Sequence, residues 1–317
     1  MTDRIPSLLF ALFAFFVVAC EPLEEPIVID TKNEVIHTVV MGSDYGKQVF
    51  FVPGDTNSNQ TISKMDWDIA LELDGGEWYI QLNAGRNMFI SKTNNNLEHP
   101  LDTSGSSFRF DYSSGNKSDY AISDPLRIGD KFLIDLGYNL DAQPLGVAGI
   151  EIMEISAGAV HLQGIAHDGT SLNVTANKQP GNPKTGVSLL RNTTFPFPPS
   201  TSYDLVATQY ISFVDSLDYL VSGILIGPTA IQCYEIAGTP FGQVDLSLLS
   251  GLTPNGAKDA IGNAWKSYNF QTGLYEMEDR VYLLHYPDER WVKLQFLDFY
   301  GNQGEKGSIS FLCEELR

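Results

Sequence analysis

Cysteine is scarce, with three residues in 317. None falls in a CxxC pair or at a Cys/His spacing that would hold zinc, so a zinc-stapled module is excluded. Long apolar runs are scarcer still. Only Leu8 to Val18 is unbroken, and a membrane-crossing helix needs about 20 such residues. Basic residues are outnumbered, 20 Lys and Arg against 39 Asp and Glu, which gives a formal net charge of −19. A surface of that sign repels polyanions and argues against a nucleic-acid partner. No nucleophile elbow, P-loop, HExxH or dinucleotide fingerprint occurs, nor a paired acid/base constellation of the kind a hydrolase needs. The chain reads as a non-enzymatic protein.

What is present begins with a targeting signal. Arg4 precedes the apolar run, and Val17-Val18-Ala19-Cys20 brings small or aliphatic residues up to a cysteine. This is the pattern of a lipoprotein signal peptide over residues 1–19, cleaved before Cys20. Acyl chains on Cys20 would then anchor the chain to a membrane. Glu21, Glu24 and Glu25 follow, with Pro22 and Pro26 keeping the segment extended, so residues 20–33 are expected to be an acidic tether.

From residue 34 the pattern is that of strands. Helical periodicity is absent from the N-terminal half, where short runs such as Val35–Met41, Gln48–Val52 and Trp78–Asn83 are separated by Gly, Asn and Asp turns. The spacing predicts an all-β antiparallel fold, sandwich or barrel-like. Asp55 to Ser63 is expected to be a polar loop. Its alternate oxygen donors, with Asp66 in twelfth place, lack the glycine and glutamate of a calcium loop, which makes it a polar turn. Residues 91–122 are expected as surface loops. Strands are expected again over Lys131–Leu136, Gly149–Ile155 and Ala159–Ala166, the last turning at Asp168-Gly169 into Ser171–Ala176. Residues 177–202, which hold Pro180, Pro183, Pro196, Pro198 and Pro199, read as a linker or loop.

An earlier theme then returns. Tyr203-Asp204-Leu205-Val206-Ala207 matches Trp67-Asp68-Ile69-Ala70-Leu71 in type, and Tyr219–Leu225 stands where Tyr79–Asn83 stood. The repetition suggests an internal duplication, with an N-terminal β region over 34–176 and a C-terminal one over 203–317. The two repeated aspartates, set in strand text, suit structural hydrogen bonds to nearby backbone. Pro254 to Tyr268 is either a helix or a loop that delivers Trp265 to the core. Cys233 and Cys313 sit in apolar strand text and suit a disulfide or buried thiols equally.

The C-terminal end is the most regular stretch. Val281–Tyr286, a turn at Pro287-Asp288-Glu289, the alternating run Trp291–Tyr300 and then Ile309, Phe311 and Cys313 predict a three-stranded meander. Apolar parity slips at Leu297-Asp298-Phe299, where a bulge is expected.

This region resembles the C-terminal signature of the HmuY family over residues 262–311. The resemblance rests on Gly262 through Phe270, on Lys293-Leu294-Gln295-Phe296, and on Gly304-Glu305-Lys306-Gly307 with Phe311. It implies an HmuY-like β fold and a haem-binding lipoprotein on the outer membrane of Bacteroidetes-type bacteria. The acidic cluster after Cys20 resembles the surface-export signal of such lipoproteins, which implies display on the cell surface. The implied partners are haem or a haemoprotein and an outer-membrane transporter that receives the ligand. The alternative is a surface binding or adhesion lipoprotein that kept the scaffold and lost the haem ligands. In haem-binding members of the family a histidine follows the Tyr-Asn pair, after a threonine. Here Tyr268-Asn269 leads to Thr272 and then to Gly273. Haem iron takes His, Met, Tyr or Cys ligands, so Met277, Tyr275 and His161 are the candidate donors.

Overall fold

The computed structural model of the chain describes residues 35–214 and 216–316. Residues 35–316 belong to one compact unit. Its strands fall into two series. The first is β1 (Ile36–Val40), β2 (Lys47–Val52), β3 (Asp55–Ser63), β4 (Ile69–Asp74), β5 (Glu77–Leu82), β6 (Phe89–Thr93), β7 (Lys131–Asp135), β8 (Val147–Ile155) and β9 (Ala159–Ile165). The second is β10 (Ser171–Asn177), β11 (Lys184–Ser188), β12 (Thr193–Phe195), β13 (Leu205–Val214), β14 (Leu217–Ile226), β15 (Gln232–Ala237), β16 (Lys266–Asn269), β17 (Leu274–Met277), β18 (Arg280–His285), β19 (Trp291–Tyr300) and β20 (Lys306–Leu316).

With the β16–β17 hairpin set aside, the two series pair in the same order. One five-stranded sheet runs β10-β9-β8-β7-β6 and the other β1-β20-β19-β18-β15. One four-stranded sheet runs β12-β11-β4-β5 and the other β3-β2-β13-β14. Each series therefore lends its first three strands to the other. The correspondence reaches single residues. The β8–β9 ladder shifts register between Ile152 and Glu154, and the β19–β20 ladder between Phe296 and Asp298. The latter is the bulge expected from the parity slip. All the strand ladders are antiparallel, and the sheets are open rather than closed into a barrel, which corrects the barrel-like alternative.

Two large cores follow from the exchange. One packs Ile69, Leu71, Trp78 and Phe132 of the first series with Leu172, Val174 and Val187 of the second. The other packs Val39, Met41 and Phe51 of the first with Leu205, Tyr282, Phe296 and Phe311 of the second. The alternating in-and-out pattern of β10 (Leu172, Val174 and Ala176 inward) shows how a strand written in one half closes the core of the other.

Two expectations are corrected, and one that was left open is decided. Asp55–Ser63 is the strand β3, paired with β2, and no loop. It lies at a sheet edge with both faces largely exposed, so apolar alternation never marked it. Residues 177–202 hold β11 and β12, and Lys184 to Val187 pair with Glu72 to Ile69. The prolines flank these strands, where no ladder donor is lost. Pro254–Tyr268 contains no helix. Of the two readings the loop holds: residues 254–265 bury Trp265 completely, with the indole N–H donated to the Gly262 carbonyl at 3.1 Å, and Lys266 to Tyr268 begin β16.

The two repeated aspartates are structural, with side chains among their partners. Asp68, fully buried, pairs with Arg86 and accepts from the Leu190 amide at 3.1 Å. Asp204 accepts from the Tyr286 hydroxyl at 3.1 Å. Cys233 and Cys313 are free thiols, both pushed up to about 12, foremost by burial.

Candidate functional site

The β16–β17 hairpin is the one pair of strands in the second series without a counterpart in the first. It is also where the sequence signature and the candidate donors coincide. Local chemistry makes the turn. Asn269 accepts from the amides of Gln271 and Thr272 at 2.8 and 3.2 Å, and its carbonyl accepts from Gly273 N at 2.8 Å. Gly273 takes φ 75°, a left-handed conformation that costs a side-chain-bearing residue but not glycine. The position where haem-binding relatives are expected to carry histidine is thus the residue that closes this turn.

Above the turn the hairpin presents aromatic faces. Tyr268 stands opposite Tyr275, with ring centroids 5.1 Å apart, and Phe270 meets Tyr268 edge-on at 5.1 Å. Phe270 is 91% exposed and Tyr268 40%, a large apolar surface for water to cover. Beneath them Tyr275 packs edge-on to Phe299 at 5.0 Å, and Trp265 stacks on Phe296 at 4.6 Å. The Tyr300 hydroxyl accepts from the Tyr275 amide at 2.7 Å and fastens the hairpin to β19.

Two lysines lie among these rings. Lys266 is buried, donates to the Ser222 carbonyl at 2.5 Å, and sits 4.6 to 5.1 Å from the faces of Trp265, Phe299 and Tyr275. Burial pulls its ammonium down to about 7, while the ring faces oppose part of that shift. Lys306 lies 5.8 and 5.9 Å from the faces of Tyr268 and Tyr275. Both lysines stand in the quoted signature, Lys266 after Trp265 and Lys306 before Gly307. Their role escaped the sequence reading because nothing local ties either to an aromatic ring.

The candidate donors are not brought together. Tyr275 and Met277 share β17, where both are half-buried and pack against the core that holds Phe51, Phe296 and Phe311. The Tyr275 phenol is pushed up, first by burial and then by its neighbours Tyr300 and Tyr268, so it stays protonated. His161 lies on β9 in another sheet, its Nδ1 3.0 Å from the Thr175 hydroxyl. His37 stacks on Phe311, and His285 stacks on Trp291 beside Glu289. Cys20, the expected lipidation site, lies outside the described residues. Among the described residues no cluster of three or more His, Cys, Asp and Glu side chains could hold a metal ion.

The HmuY protein family matches residues 44–313. The chain belongs to the HmuY family. Among solved structures, PinO from Porphyromonas gingivitis is similar over 90% of this chain and 99% of its own, at 9% identity and a TM-score of 0.28. The HmuY analog of Tannerella forsythia is similar over 91% of this chain and 100% of its own, at 10% identity and a TM-score of 0.24. No curated protein matches the chain. The family match takes in strands of both series, β2 to β20, as well as the C-terminal signature.

Proposed function

We propose that this HmuY-family protein is a surface lipoprotein of the outer membrane that captures haem, or a similar flat apolar ligand, on the β16–β17 hairpin for uptake. The observation that supports the reading is the exposed aromatic ledge of Tyr268 and Phe270 with Lys306 beside it. A planar ring system stacks on such faces, and aromatic pairs contribute about 0.5–1.5 kcal/mol each beyond burial. An ammonium at the ledge suits the carboxylates of a porphyrin edge.

The residues fit the plane of such a ligand and not its iron. Tyr275 is held as a phenol, whereas a ferric ligand of this type is the phenolate. The Met277 side chain packs against the core rather than facing the ledge. No described histidine stands on the hairpin. Capture here rests on ring stacking and charge, and the lipid expected on Cys20 would hold the site at the membrane surface.

The test is a titration of the soluble chain from residue 21 onward with haemin and, in parallel, with iron-free protoporphyrin. Both are expected to bind saturably and with similar affinity. Phe270→Ala removes a ring that binding would bury, worth about 1.5–3 kcal/mol or roughly ten- to hundredfold in affinity. His161→Ala should change nothing. Binding of haemin alone, abolished by Met277→Ala, would sink the stacking account in favour of iron ligation. Binding of neither ligand would remove the haem reading altogether.

A further inference from the structure

A cavity of about 600 Å³ lies between the two four-stranded sheets, apart from the hairpin. It is within the 300–1,000 Å³ range of small-molecule sites. Its walls come from both strand series, β2, β4 and β5 of one and β11, β13 and β14 of the other. One wall is aromatic: Trp67 packs edge-on to Phe197 at 5.0 Å, and Phe50 edge-on to Tyr203 at 4.8 Å. The polar groups of that wall satisfy one another. Trp67 donates to Gln48 at 2.9 Å and Gln48 to Thr208 at 2.8 Å.

The other wall carries cations, in a chain whose net charge is −19. Lys117, Lys184 and Lys258 all line the cavity, together with Glu72 and Asp74. Lys117 takes both carboxylates, Glu72 at 2.6 Å and Asp74 at 3.5 Å. Lys184 donates to the Gln81 side-chain carbonyl. Lys184 and Lys258 stand within hydrogen-bonding reach of each other, and among the described residues neither has an ion pair. Burial first, and then Lys258, pull Lys184 down to about 7. Burial alone would raise Glu72, but Lys184, Lys258 and Lys117 together hold it at about 2. The Lys258 stem crosses directly over Gly115, where a Cβ would stand 2.7 Å from its Cδ. Three ammonium groups thus face two carboxylates, Glu72 and Asp74, and the cation left over at one side of an aromatic-walled space is half of a binding site.

We propose that this cavity binds an amphipathic carboxylate, its acid group held by Lys184 and Lys258 and its apolar body laid along Phe50, Trp67, Phe197 and Tyr203. A fatty acid and the propionate edge of a porphyrin share that chemistry. The site is separate from the hairpin and stands whether or not the hairpin binds haem. Besides Lys258, the charged and titratable groups around Lys184 are Glu72, Lys117 and, more weakly coupled, Asp111. Of these cavity groups Lys184 is drawn to about neutrality, so carboxylate affinity falls as pH rises from 6 to 9 and its proton is lost.

The experiment is calorimetric titration of the chain from residue 21 onward, carrying both series, with dodecanoate, dodecan-1-ol and haemin. Dodecanoate should bind saturably, tenfold or more tightly than the alcohol. Lys184→Met and Lys258→Met should each weaken dodecanoate at least tenfold and leave the alcohol unchanged. Gly115→Ala, which removes no charge but displaces the Lys258 stem, should weaken dodecanoate as well, and it stands in if a lysine variant does not fold. Haemin binding that survives Lys184→Met keeps the hairpin as the porphyrin site. Haemin binding lost with Lys184→Met makes the porphyrin propionate the cavity's carboxylate and overturns the hairpin reading instead. Absence of saturable dodecanoate binding together with haemin binding unmoved by both lysine variants, or dodecanoate affinity equal in wild type and both variants, overturns the cavity proposal.

Discussion

Replacing Asp68 with asparagine is the sharpest test of what holds the first-series core together. The Asp68 and Arg86 side chains are both at 0% exposure. Arg86 also donates to the Leu136 carbonyl at 2.6 Å and lies 3.4 Å from the Trp67 carbonyl, while Asp68 accepts from Leu190 N at 3.1 Å. Asp68→Asn keeps the shape and removes the charge, which leaves the guanidinium buried without a counterion. Breaking a buried pair in this way costs about 3–5 kcal/mol. The two carbonyls still solvate Arg86, so the lower end, about 3 kcal/mol, is expected, with Tm falling by roughly 5 °C for a chain of this size. Urea unfolding followed by tryptophan fluorescence reads the difference. The equivalent change in the second series, Asp204→Asn, should cost only about 1 kcal/mol, because asparagine can still accept from the Tyr286 hydroxyl and the ion pair it loses, to the part-exposed Arg290 at 3.8 Å, is a loose one. Removing the whole pair with Asp68→Leu and Arg86→Met should recover most of the loss. A loss under about 1 kcal/mol for Asp68→Asn, or no recovery in the double variant, would refute the account of a desolvated charge.

Two further outcomes are expected. Gly307, at φ 86°, lies where a Cβ would run into the Gly42 carbonyl, so Gly307→Ala should destabilise by at least about 2 kcal/mol in the same urea assay. Lys266 is held at about 7 in the folded chain against an ordinary 10.5. Between those pH values unfolding takes up a proton there, so this residue makes stability rise with pH. Lys266→Met should therefore be more stable than wild type at pH 7, with the advantage shrinking toward pH 10.5 in parallel denaturation series.

The C-terminal meander was legible because β18 to β20 contribute regular inward positions, Val292, Leu294 and Phe296 among them, that no helix period could produce. The bulge was legible for the same reason, since burial on one face makes a parity slip visible. The repeated aromatic-Asp pairs stand at matching places in the two strand series, directly before β4 and β13, but the exchange of strands did not show. β11 pairs with β4 and β2 with β13 across more than a hundred residues, and nothing in either strand's own text names its partner. β3 was hidden because an exposed edge strand needs no apolar face. At the candidate site, Tyr275, Tyr268 and Phe270 could be read from the hairpin's own residues. The cavity could not, since Lys117, Lys184 and Lys258 come from three separate segments and gain meaning only when their ammonium groups converge.

The reciprocal strand exchange sets the order in which the molecule can be made. Ile36 pairs with Leu312 and Val49 with Ala207, so the earliest strands described must wait for the latest before their ladders close. Contacts of such sequence separation make folding slow, because loop closure precedes any reward. A nascent chain that has emerged only as far as β9 has no β10 to cover that edge, nor β11 against β4. Its β1 has no partner and its β2 only β3, so neither large core can close. The same arrangement makes every truncation within the second series a source of bare sheet edges, the surfaces from which chains aggregate.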